Sequence, residues 1–236
     1  MQNPIVATLM ICAALAWLVP VASLDAADSK VAIPFNGTNL DGWQTHGDLA
    51  KSTWTVGTAK VDPNDPGRLV VEPAAEGKGE LVTPTGHGQD LFTTSKFGDC
   101  TIELEVMVPK GSNSGIYVMG EYEVQVLDSF GREKVGPGDM GGIYGATAPA
   151  VNAAKAPGEW QKYVIEFRAP RFEGDKKVAN ARFLKVVLND QLIHENVEMQ
   201  QQTPGGATGR EHPTGPLMFQ GNHGPVAYRN IRVTAK

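Results

Sequence analysis

The sequence predicts an all-β protein, a jelly-roll β-sandwich of two antiparallel sheets, and three observations carry that expectation. Short segments alternate apolar and polar residues with the two-residue period of a strand. Clusters of Gly, Pro, Asn and Asp separate them, with 27 Gly and 16 Pro in 236 residues, which is the chemistry of many turns. No stretch repeats apolar residues at helical spacing convincingly. Many short strands joined by turns favour a sandwich, and roughly 200 residues is a normal size for one such domain.

The first element is a targeting segment. Residues 5–23, "IVATLMICAALAWLVPVAS", form an apolar run ended by Pro20, followed by small residues that suit cleavage between Ala22 and Ala27. The expected organisation is a signal peptide over 1–27 and one domain over 28–236, secreted or periplasmic after cleavage. No Lys or Arg precedes the run, so an uncleaved anchor is the alternative. Cys12 follows Ile11, which is too large for a lipidation site. Once the segment is removed only Cys100 remains, no intrachain disulfide can form, and Cys100 reads as a small buried hydrophobe.

The strands follow in order. "CTIELEVMV" (100–108) sets Ile102, Leu104, Val106 and Val108 on one face and polar residues on the other. "NSGIYVMGEYEVQVLDS" (113–129) directs Tyr122, Val124 and Val126 one way and Glu121, Glu123 and Gln125 the other. "KYVIEFRAP" (162–170) alternates through Tyr163, Ile165 and Phe167. Residues 182–199 hold two strands joined by a tight turn at Asn189-Asp190. "GPLMFQ" and "VAYRNIRVTA" supply the last strands. The two insertions, 83–99 and 129–160, are too long for hairpins; their Phe92, Phe97, Tyr144 and Trp160 suit ordered binding loops.

Bulk composition excludes some partners. The formal net charge is −5, with 21 basic and 26 acidic residues, and no basic run offers a surface for nucleic acid or an anionic membrane. No clustered His or Cys spacing points to a metal, and "DPNDPG" (62–67) lacks a calcium-loop pattern; no cofactor is expected, and a divalent cation such as calcium has no support beyond its compatibility with lectin-like sandwiches. The polar row at 121, 123 and 125 is either an ordinary solvated sheet face or the floor of a cleft, and the strand alone favours the former.

Five collinear motifs add to this. "FNGTNLDGW" (35–43), "NSGIYVMGEYEVQVLDS" (113–129), "GGIYG" (141–145), "PGEWQKYVIEFRAPRF" (157–172) and "GPLMFQGNHGPVAYRNIRV" (215–233) resemble, in this order, those of the 3-keto-disaccharide hydrolase family. The resemblance implies a concanavalin A-like lectin/glucanase sandwich and a sugar substrate already oxidised at carbon 3. It also implies a partner, a separate sugar 3-dehydrogenase, because this chain has no dinucleotide fingerprint. One departure is Met119, where related sequences often carry Arg.

Given that resemblance, Glu123 becomes the candidate general base and His223, between glycines in "QGNHGPV", a proton shuttle near neutrality. Tyr144 and Asp128 are candidates for donating to an oxyanion or orienting the sugar. Gln125, Gln220, Arg229 and Asn113 are expected to bind hydroxyls or the carbonyl, although Arg229 reads equally as a structural ion pair and Asn113 as a turn-former. Glu121 is expected at the rim or surface. His46, His87, His194 and His212 have no comparable context. Trp43 and Trp160 read as core plugs at strand starts rather than sugar platforms. Two rival functions stay open: a retaining glycosidase, which needs two carboxylates about 5 to 5.5 Å apart where this row offers Gln125 as the neighbour of Glu123, and a non-catalytic carbohydrate-binding or laminin-G-like module.

Overall fold

A computed structural model describes Met1 and residues 30–236. The expected signal segment, 1–27, and Cys12 thus lie outside the described residues, apart from Met1. Among the described residues no helix is long and apolar enough to cross a membrane.

The strands in chain order are β1 (Val31–Ala32), β2 (Trp43–Gln44), β3 (Thr55–Asp62), β4 (Asp65–Glu72), β5 (Glu80–Thr83) and β6 (Leu91–Thr93). After these come β7 (Cys100–Met107), β8 (Asn113–Val118), β9 (Tyr122–Leu127), β10 (Gln161–Arg168) and the short hairpin β11 (Arg171–Glu173) and β12 (Lys176–Ala179). The chain closes with β13 (Ala181–Leu188), β14 (Gln191–Met199), β15 (Met218–Phe219) and β16 (Val226–Ala235). A nine-stranded sheet runs β14-β13-β10-β7-β16-β5-β3-β4 with β1 beside β16, and a five-stranded sheet runs β2-β6-β15-β8-β9. Every pairing is antiparallel, so the all-β sandwich read from the sequence is what the chain forms.

Alternation explains the core. In β7 Ile102, Leu104 and Val106 are buried as expected, and in β10 Tyr163, Ile165 and Phe167 leave no exposed surface. These inward faces meet side chains of the smaller sheet. Phe219 of β15 stacks on Tyr228 of β16 with centroids 3.9 Å apart and planes 7° off parallel, and Trp43 of β2 covers Phe219 at 5.5 Å. The Tyr228 hydroxyl is buried too, and it shares a hydrogen bond of 2.8 Å with Ser114 of β8. Stacked aromatics with a satisfied hydroxyl hold the two sheets in one lateral register, because sliding either sheet would strand a buried O–H. Trp43 is the core plug expected of it, with its indole N–H on the Pro34 carbonyl at 2.9 Å. Cys100 is likewise fully buried, and burial pushes its thiol up to about 12, which makes it inert.

The turns follow their residues. Asn189 and Asp190 both take positive φ, 50° and 64°, as a type I′ turn requires. The segment 113–129 is a hairpin rather than one strand: Met119 and Gly120 turn with φ of 54° and 70°, and Glu121 sits at that turn. Met119 itself is 3% exposed and packs in the core.

Replacing Phe219 with Ala removes the middle of the three-ring stack. It is expected to lower unfolding free energy by about 3–5 kcal/mol, read as a drop in urea midpoint with unchanged m-value.

Candidate active site

Because Tyr122, Val124 and Val126 fill the core, Glu123 and Gln125 must stand on the outer face of the five-stranded sheet. The hairpin register sets Tyr117 directly opposite Glu123 and Gly115 opposite Gln125. Gly115 is needed there: a Cβ on it would lie 2.2 Å from Oε1 of Glu123. The Tyr117 hydroxyl reaches Oε2 of Glu123 at 2.9 Å, and the Gln125 amide donates to Oδ1 of Asn113 at 2.6 Å.

Neighbouring strands extend the row by the same parity. Phe219 is opposite Ile116 and faces inward, so Gln220, whose N–H bonds to the Gly115 carbonyl at 3.0 Å, faces outward; its side-chain amide bonds to no described residue. On the far side of β9, Ile143 pairs with Val124 and the Tyr144 N–H bonds to the Glu123 carbonyl at 3.1 Å. Ile143 is in the core, so the half-exposed Tyr144 ring stands beside Glu123. Just before β6 lies Asp90, whose Oδ1 accepts the Gly221 N–H at 3.0 Å. His223 and His46 lie close enough to Asp90 for their charge to act on it; His223 is exposed, with Nδ1 against Oδ1 of Asn222, and His46 packs on Phe92 at 5.0 Å.

The electrostatics single out Glu123. It is 3% exposed, and no Lys, Arg or His among the described residues pairs with it. Burial raises its pKa to about 7, partly offset by the Tyr117 hydrogen bond and reinforced by the charge of Asp90. Burial and the Glu123 charge also push the Tyr117 phenol upward, so Tyr117 stays a neutral donor. Asp90 is raised by burial as well, with the Gly221 N–H and the two histidines pulling it back. A carboxylate poised near neutrality, a neutral phenol and a carboxylate flanked by imidazoles can take and return protons at adjacent positions.

The sites expected from the sequence thus divide. Glu123, Gln125, Asn113, Gln220, Tyr144 and His223 share one face or its rim. Arg229 does not: its neighbour Tyr228 points into the core, so Arg229 lies on the outer face of the nine-stranded sheet. There it pairs with Glu105 at 2.6 Å and Glu80 at 3.4 Å and lies 3.9 Å over the Trp160 ring. It is the structural ion pair, and Trp160 is its platform. A groove of about 800 Å³ on that face is lined by Glu80, Glu103, Glu105, Lys162 and Arg229, far from Glu123. Asp128 is also displaced: its carboxylate accepts the Gly111 N–H at 2.8 Å and the Phe130 N–H at 3.4 Å, which makes it a turn cap. Glu121 is a correction too, being 2% exposed rather than at the surface. His194 is buried with Nε2 on the Gly141 carbonyl at 2.7 Å, a core histidine whose pKa burial lowers.

Sequence reasoning missed Tyr117, Asp90 and His46. Tyr117 lay in a quoted motif, and pairing it with Glu123 across a hairpin would have exposed it. Asp90 lay in an insertion marked as functional. Among the described residues no group of three or more His, Cys, Asp or Glu is placed to hold a metal ion.

Residues 33–234 match the model of the 3-keto-alpha-glucoside-1,2-lyase-like domain. The chain belongs to this family. A 3-keto-disaccharide hydrolase of Bacteroides thetaiotaomicron is 32% identical over 112 residues, covering 47% of this chain and 34% of that protein, so the match spans about a third of the relative's length. Two solved structures from Parabacteroides distasonis, provisionally described as glycosyl hydrolases, share the fold. One is 26% identical, with a TM-score of 0.67 over 89% of this chain and 84% of that one. The other is 17% identical, with a TM-score of 0.60 over 87% and 94%, and speaks to the fold alone. This family member keeps its polar row on the smaller sheet.

The raised pKa of Glu123 carries a stability consequence. Between about 4.5, its ordinary value, and about 7 the folded state holds a proton that the unfolded state has lost, so stability falls as pH rises through that window. Glu123→Gln is therefore expected to stabilise the protein at pH ~8 by roughly 1–3 kcal/mol and to have little effect near pH ~4.5, as read by urea unfolding at both values.

Proposed function

We propose that this chain cleaves 3-keto-glycosides, with Glu123 as the base that takes the proton from carbon 2 of the oxidised sugar. The observation that carries the reading is a buried carboxylate without a cationic partner among the described residues, raised to about 7 and held by a neutral phenol. A ketone at carbon 3 acidifies the hydrogen on carbon 2. The glycosidic oxygen on carbon 1 is then β to the carbanion and departs by elimination, taking a proton from an acid. Water adds to the resulting enone to complete net hydrolysis. No oxocarbenium ion is needed, so a single well-placed base matters more than a nucleophile.

The remaining groups take roles by position. The Tyr144 hydroxyl and the amides of Gln125, Asn113 and Gln220 are donors for the enolate oxygen and the sugar hydroxyls. His223, acting with Asp90, is the proton source for the leaving group. Family membership and the name of the Bacteroides relative support the 3-keto substrate. The substrate is made by a separate sugar 3-dehydrogenase, and the protein works outside the cytoplasm after loss of residues 1–27 as a domain over 28–236; the apolar run at 5–23 supports the export.

One observation favours a second reading. Asp90 supplies the second carboxylate near Glu123 that the strand alone lacked, and a carboxylate pair is the equipment of an ordinary glycosidase. Incubation with 3-keto-trehalose beside plain trehalose separates the two. Release of 3-keto-glucose from the oxidised sugar only is the expected result. Release from the plain sugar would favour the glycosidase, and binding without turnover a carbohydrate-binding module.

In that assay Glu123→Gln is expected to lower kcat/KM by about 10²-fold or more, and Tyr117→Phe by a smaller factor. Because the ionised carboxylate is the active form, the wild-type rate is expected to rise with pH through about 7. An unchanged rate in Glu123→Gln removes that residue from the mechanism.

A further inference from the structure

Glu123 is buried although it stands on the outer face of a sheet, so something covers it. The segment Thr203–Thr208 lies against its backbone and its Tyr117 partner. Oγ1 of Thr203 accepts the Glu123 N–H at 3.1 Å, and the Pro204 carbonyl lies 3.1 Å from the Tyr117 hydroxyl. The Thr203 N–H bonds to the Glu121 carbonyl at 2.8 Å and the Ala207 N–H to the Gly120 carbonyl at 2.7 Å. Between these ends Pro204 and Gly205 are exposed, and Gly205 takes φ of 84°.

The side chain of Glu121 meets the far end. Its Oε1 accepts both the N–H and the hydroxyl of Thr208, each at 2.7 Å. Its Oε2 is buried without a hydrogen-bond partner, and a Cβ on Gly206 would lie 2.2 Å from it. No cation among the described residues pairs with this carboxylate. A buried carboxylate satisfied on one oxygen only, by one short segment, is costly and is held in place by that segment alone.

We propose that Thr203–Thr208 is a strap that must open for a ligand to reach Glu123, and that Glu121 is the positioning residue that latches it. The inference rests on reading Glu123 as the group a ligand must reach. The latch lies on the same hairpin as the base, two residues away, so opening the strap leaves the base in its strand.

The near end of the strap is linked to the proton on Glu123. The Tyr117 hydroxyl has one proton and two acceptors, Oε2 of Glu123 at 2.9 Å and the Pro204 carbonyl at 3.1 Å. When Glu123 is protonated it donates to the Tyr117 oxygen, and Tyr117 donates to Pro204. When Glu123 is ionised it accepts the Tyr117 hydrogen bond, and the Pro204 carbonyl loses its donor. The strap is therefore looser in the state in which the base is competent. The other titratable groups around Glu123 are Asp90, just before β6, with His46 and His223 behind it, Tyr144 beside Tyr117, Tyr228 on the core side and Glu121, held by Thr208. The strap brings no charge; beyond it Glu211 is taken by Lys177 and Tyr122.

The test uses the whole chain and needs no substrate: amide hydrogen exchange at Thr203, Ala207 and Thr208, and the rate at which a water-soluble carbodiimide modifies Glu123. Thr208→Val removes one latch bond and is expected to speed both by about 10-fold, while Thr208→Ser keeps wild-type rates. Glu121→Gln, which keeps one acceptor, serves as a second variant and is expected to fall between them. Unchanged exchange in Thr208→Val, or faster exchange with unchanged modification of Glu123, overturns the latch. Strap protection, corrected for intrinsic exchange chemistry, is expected to fall as pH rises through about 7 in the wild type and to stay flat in Glu123→Gln. A flat wild-type profile, or an equal slope in the variant, overturns the proton link. Failure of the 3-keto-sugar assay with these exchange results intact would remove the proposed reaction and leave the strap.

Discussion

The site depends on one constraint: the hairpin of β8 and β9 has a sealed face. Val124, Val126, Tyr122 and Ile116 are fully buried between the sheets, and the Phe219–Tyr228 stack with the Ser114 hydrogen bond fixes how those sheets meet. A slip of one residue would bring Glu123 into the aromatic core and turn Val124 outward, at the cost of an unpaired buried charge. Register and chemistry are therefore the same fact. The carboxylate, its phenol opposite and the glycine that gives it room all follow from a two-residue period locked on one side.

The two outer faces of the sandwich handle charge differently. On the nine-stranded sheet, carboxylates and cations answer one another: Arg229 lies between Glu80 and Glu105, so that face is electrostatically settled. On the five-stranded sheet Glu121, Glu123 and Asp90 have no Lys or Arg partner among the described residues. Neutral donors and, for Asp90, imidazoles are all they have. Burial without a cation raises the pKa of Glu123, and the charge of Asp90 adds to it; this is what moves a glutamate into the range where it both accepts and returns a proton. The same arrangement weakens the fold locally, so reactivity and stability pull in opposite directions at Glu123.

The fold was legible because alternation is a local signal: β7, β10, β13, β14 and β16 lie where apolar residues recur at every second position, and Asn189-Asp190 turns as its residue types demand. β3, β4 and β5 were not read: "TVGTAKVD" and "DPGRLVVE" alternate weakly at and next to the sheet edge, where burial is partial, and β5, "ELVT", is short and buried at every residue, so it shows no alternation. Within the site, parity found Glu123 and Gln125. It could not find Tyr117 or Asp90, whose relation to Glu123 is a cross-strand register and a sheet order rather than a spacing along the chain. Parity also counted Glu121 as surface, because the covering strap arrives from eighty residues away (Thr203 to Glu123). Arg229 lay within a family motif, but its motif neighbour Tyr228 occupies the core, and adjacency in sequence then means opposite faces in space.

The most direct measurement is the titration of the Glu123 side-chain carboxyl, followed by carbon NMR in the intact protein and assigned with Glu123→Gln. A midpoint near 7, matching the inflection of the pH–rate profile on a 3-keto-glycoside, is the expected result. A midpoint near the ordinary 4.5, or a rate indifferent to that titration, would mean that Glu123 is an ordinary solvated carboxylate and that the reaction, if there is one, is carried elsewhere.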